Sequence, residues 1–139
     1  MTKTRGDYPL AETQPQAVIG KRGKPLPDLT LAAVVSGDVT MDDLRITPEA
    51  LKSQAEIARD AGRPTLALNF ERAAELVEVP QDVIMAVYEL LRPGRAASRE
   101  QLLQTAGMLR EKFGAVLMAA FVEEAAATYE ERGLFTYRF

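Results

Sequence analysis

The stretch from Arg45 to Leu76, RITPEALKSQAEIARDAGRPTLALNFERAAEL, restricts the fold more than any other part of the chain. It opens with a helix start. Thr47 is a favoured N-cap type, and Pro48 suits the first helical position, where its missing N–H would have had no intrahelical partner. Glu49 follows beside the positive end of the helix. Leu51, Ala55, Ala58 and Gly62 then recur at helical spacing. Gly62 fits the left-handed residue that ends a helix, and Pro64 can open the next. Leu66, Phe70, Ala73 and Val77 continue the apolar face. The pattern predicts two helices joined at Gly62-Arg63-Pro64, with alanines letting their backbones approach closely.

The rest of the chain reads the same way. Asp28 to Gly37 and Met41 to Leu44 read as short helices, the second with Thr40 and Asp43 in a capping-box-like pattern. Pro80 opens a longer helix with Ile84, Val87, Tyr88 and Leu91 on one stripe, and Pro93-Gly94 ends it. Ser98 with Gln101 reads as a capping box, and Leu102, Ala106, Leu109 and Phe113 form the next face. Gly114 reads either as a turn or as a weak point in one long helix, and Gly133 as a stop. The aromatic ending Leu134 to Phe139 could pack on the domain or on a partner. No stretch alternates apolar and polar residues long enough for a strand. The expectation is an all-α fold of about five helices.

Residues 1–27 differ. Four prolines and three glycines there prevent a long helix, and Tyr8, Leu10, Val18 and Ile19 are the few apolar anchors. They read as an extended N-terminal arm ahead of a helical domain at 28–139. An arm with so little apolar surface cannot offset ~1–2 kcal/mol of backbone entropy per ordered residue. Its order would come from another chain, with Tyr8, Pro9 and Leu10 as the anchor. Lys21, Arg22 and Lys24 read as a solvated basic turn.

Composition narrows the chemistry. The 139 residues carry a net charge of −3 and include neither histidine nor cysteine. That removes thiol nucleophiles, His- or Cys-ligated zinc, histidine acid–base catalysis and histidine ligands to a cofactor metal. The acidic balance and the lack of Trp argue against nucleic acid as a partner. No apolar run approaches the ~20 residues of a membrane span, and the first residues lack a secretory apolar core, so the cytoplasm is the expected compartment.

Carboxylates are the remaining candidates. Glu71 with Glu75, and Glu56 with Asp60, sit at i, i+4 and share a helix face. Arg59, Arg63 and Arg72 are interleaved with them, which favours ion pairs over a metal or an acid–base pair. Four-helix carboxylate metal sites use Glu-x-x-His, which this chain lacks. Asp42-Asp43 reads as first-turn partners of the helix dipole. No catalytic, cofactor-binding or metal residue is expected. Asn69, Glu71 and Arg72, polar side chains packed around Phe70, suggest instead a surface that meets another molecule, since arginine suits bidentate pairing at interfaces.

The strings Asp7-Tyr8-Pro9-Leu10-Ala11, Arg45-Ile46-Thr47-Pro48-Glu49, Asp60-Ala61-Gly62-Arg63 and Asn69-Phe70-Glu71-Arg72-Ala73-Ala74-Glu75-Leu76 also carry a resemblance. With Gln54-Ala55, Ile57-Ala58, Leu66-Ala67, Val79-Pro80, Leu91-Arg92-Pro93, Ala119-Ala120-Phe121-Val122 and Glu124-Ala125-Ala126, they resemble the small (gamma) subunit of adenosylcobalamin-dependent diol and glycerol dehydratases. The likeness runs from residue 7 to about residue 132. It implies a non-catalytic subunit that supports assembly and stability of the complex. The complex turns a vicinal diol such as 1,2-propanediol or glycerol into an aldehyde and water by a radical route. It also implies large (alpha) and medium (beta) subunits as partners in a dimer of heterotrimers. Adenosylcobalamin would lie between those subunits and not on this chain. Tyr8, Pro9, Leu10, Arg63, Asn69, Glu71 and Arg72 are the expected interface residues. Family members in bacterial microcompartments carry a longer N-terminal extension; six residues precede Asp7 here, so free cytoplasmic complex is the expectation and a microcompartment the lesser alternative. A free helical adaptor or DNA-binding module is the other reading, disfavoured by the chain's acidity.

Overall fold

A computed structural model of the chain describes residues 2–136. Its elements are all helical, as the patterning requires. Eight α-helices occur among the described residues, five of them longer than two turns, and no strand forms there. The one non-helical pairing is an isolated antiparallel bridge between Ile19 and Pro25. The chain divides into two compact units, Met1–Val77 and Glu78–Phe139.

The N-terminal unit begins with short turns, because prolines recur too often for anything longer. A 3-10 turn at Arg5–Asp7 leads to α1 (Leu10–Thr13) and further 3-10 turns at Pro15–Ala17 and Leu26–Asp28. The expected helix at 28–37 is shorter than its apolar pattern. α2 spans Leu31–Ser36, because Thr30 takes the N-cap and its Oγ1 accepts the Ala33 N–H at 3.2 Å. α3 (Met41–Leu44) follows Thr40, whose N–H donates to Asp43 Oδ2 at 2.8 Å, as the capping pattern predicts.

α4 (Pro48–Asp60) and α5 (Pro64–Leu76) are the predicted helix pair. Gly62 takes φ 75° at the break. The Gly62 N–H donates to Arg59 O at 3.0 Å and the Arg63 N–H to Ala58 O at 2.9 Å, so two end carbonyls of α4 are satisfied. The chain then reverses into α5. Ala55, Ala58 and Ala67 are buried where the helices meet, with Leu66 and Phe70 packed against them. Small side chains at the crossing let the two backbones lie close.

The C-terminal unit holds α6 (Gln81–Leu91), α7 (Arg99–Phe113) and α8 (Val116–Glu131). Gly114, with φ 64°, separates the last two and settles that position as a turn. The Ser98 cap forms, Oγ accepting the Gln101 N–H at 3.3 Å. In the return bond Gln101 Oε1 accepts the Ala97 N–H at 2.9 Å rather than that of Ser98. Leu102, Ala106, Leu109, Ala119, Val122 and Ala126 form the core. α6 covers it with Val87, Leu90 and Leu91, so the buried stripe turns away from the exposed Tyr88. Tyr129 donates its hydroxyl proton to Leu91 O, and Phe135 stacks edge-on against the Tyr129 ring at 6.3 Å. Part of the aromatic ending thus packs on its own unit; Tyr137, Arg138 and Phe139 lie outside the described residues.

Leu109 is 1% exposed in this core. Leu109→Ala is expected to destabilise the C-terminal unit by about 2–5 kcal/mol. Urea unfolding followed by circular dichroism checks it, and a loss below about 1 kcal/mol would mean that the α7–α8 packing is looser than described.

Candidate functional site

The N-terminal arm makes polar contacts with the helix pair. Its backbone is tied to α4 by two carboxylates: the Lys3 N–H donates to Glu56 Oε2 and the Arg5 N–H to Asp60 Oδ2, each at 2.8 Å. Glu56 and Asp60, one turn apart, therefore present paired acceptors to the arm rather than to a metal. Within the arm Asp7 is the hub. Its Oδ2 accepts the Thr4 N–H at 2.7 Å, and its Oδ1 accepts Gln14 Nε2 at 2.6 Å. The Thr4 amide holds the Asp7 carboxyl below its ordinary pKa, with help from the Thr4 hydroxyl. Of the expected anchor residues, Tyr8 is 71% exposed, while Pro9 and Leu10 are half-buried.

The polar residues of α5 are drawn into contacts within the chain. Glu71 Oε1 accepts Arg59 Nη2 at 2.6 Å, an ion pair that bridges α5 to α4. Asn69 Oδ1 accepts Arg72 Nη1 at 3.3 Å along the same helix. Arg63 is exposed beside the turn. The structure thus brings Asn69 and Arg72 together, points Glu71 at α4, and leaves Arg63 and Tyr8 facing outward.

The basic turn at 21–24 departs from its sequence reading. Arg22 Nη1 lies 2.8 Å from Asp43 Oδ2, a carboxyl with no side-chain exposure, and Lys24 Nζ lies 2.8 Å from Asp38 Oδ2. Two of the three charges are spent on the chain's own acids. Gly20 explains how the loop comes this close: a Cβ there would stand 2.8 Å from the Asp43 carbonyl oxygen. Asp42 pairs with Arg45 at 3.5 Å. No group of three or more His, Cys, Asp or Glu is placed to hold a metal ion among the described residues. No helix there is long and apolar enough to cross a membrane.

What sequence reasoning missed is an outward apolar face. Leu31 and Val35 are each 80% exposed, and Val34, Met41, Leu44 and Ile46 are exposed as well. The signal was present: α2 is LAAVVS, apolar at five of six positions, in a helix too short to bury two sides. Ile46 also lines a recess of about 150 Å³, with Val18, Leu26, Leu29 and Ala50 among others.

This is thus a helical chain in which Glu56, Asp60, Glu71 and Asp43 pair within the chain, while Leu31, Val34, Val35, Met41 and Leu44 are exposed. Residues 3–136 match the family described as dehydratase small subunit. Over 126 residues the chain is 52% identical to the propanediol dehydratase small subunit of Citrobacter freundii, covering 91% of this chain and 73% of that protein. The propanediol dehydratase small subunit of Salmonella typhimurium is also 52% identical over 126 residues, covering 91% of this chain and 72% of that protein. The chain belongs to the dehydratase small-subunit family.

The Asp7 cap makes a pH prediction. A carboxyl whose folded pKa is lowered contributes its stabilisation above the ordinary carboxylate range and loses it as pH falls through the lowered value. The Asp7 carboxyl should therefore titrate below 3.8 in the folded chain, and slow exchange of the Thr4 amide should fade in step with it. Carbon-detected NMR titration reads both. A midpoint at or above 3.8 would contradict the cap.

Proposed function

We propose that this chain is the small subunit of a diol dehydratase, a complex that removes water from a vicinal diol to give an aldehyde. The observation that carries the reading is 52% identity over 91% of the chain to propanediol dehydratase small subunits. The chain's part is assembly. Three of its four i, i+4 carboxylates, Glu56, Asp60 and Glu71, bond to the arm or to Arg59, and it has neither histidine nor cysteine to act as ligand or nucleophile.

Large and medium subunits, two copies of each beside two of this chain, are the partners in this proposal, and the cytoplasm is its compartment. Adenosylcobalamin would supply the radical that starts the reaction. The recess of about 150 Å³ in the N-terminal unit does not fit such a group: small-molecule sites run to roughly 300–1,000 Å³. The cofactor is placed on the partner subunits in this proposal, and no step of the chemistry is assigned to residues of this chain. A free adaptor or DNA-binding role finds no support in the chain's net charge of −3.

Affinity capture of the tagged chain, co-expressed with the large and medium subunits, tests the proposal. Both larger chains should be retained in fixed ratio, with cobalamin-dependent diol dehydration in the captured complex. The isolated chain should dehydrate no diol and bind no cobalamin. Tight cobalamin binding by the chain alone, or capture of neither partner, would overturn the reading.

A further inference from the structure

We draw no further inference here: the strongest candidate, the recess of about 150 Å³ that Asp43 lines in the N-terminal unit, carries nothing, because Oδ1 of Asp43, which has no hydrogen-bond partner among the described residues, belongs to a side chain with no exposure and is closed to any molecule in the recess.

Discussion

Close approach of helices over alanine is the interaction on which the rest of this structure depends. Nine of the sixteen buried apolar residues described are alanines, among them Ala55, Ala58 and Ala67 in one unit and Ala106, Ala119 and Ala126 in the other. Alanine gives the highest helix propensity and the shortest distance between backbones. It also buries little: each methyl removes far less surface from water than a leucine side chain, which contributes about 1.5–3 kcal/mol when fully buried. A chain built this way has well-defined helix pairs and few large side chains inside them.

Two consequences follow from that economy. Polar contacts have to do what apolar contacts cannot, so the arm is fastened to α4 through Glu56 and Asp60, and Arg59 joins α4 to α5 through Glu71. In the other unit Arg110 and Glu123 meet through two parallel bonds of 2.7 and 3.0 Å, which hold the Glu123 carboxyl below its ordinary pKa. Such surface pairs are individually weak. The second consequence is that larger apolar residues remain outside, at Leu31, Val35, Met41 and Leu44.

Much of this was legible from residue order alone. Thr47-Pro48, Gly62 and Pro64 marked the start of α4 and the break between α4 and α5, because capping and left-handed geometry depend on single residue types. The small-subunit family was legible too, from long strings such as NFERAAEL. Helix orientation was harder. The 84–91 stripe contained Tyr88, which faces out while Leu90 turns in, since adjacent stripes on an apolar helix look alike until a partner helix selects one. The expected interface residues met a different obstacle. Glu71 and the Asn69–Arg72 pair are polar enough for a contact surface, yet which carboxylate takes which arginine depends on distances between elements far apart in sequence. The α2 exposure was missed because apolar residues at helical spacing normally predict burial, and only the structure shows that none of this helix's residues is buried among the described residues.

The central claim is that this chain borrows stability from its partners. Its most direct measurement is the unfolding temperature of the chain alone against that of the same chain in the assembled dehydratase, followed by hydrogen exchange at α4 and α7. Binding of partners to the folded state alone raises apparent stability by mass action, by about 4 kcal/mol at a thousandfold excess over Kd. The account predicts a free chain that is helical but marginally stable, and protection of both helix pairs that persists to a clearly higher temperature in the complex. Equal protection of the free and the assembled chain at every temperature would contradict it.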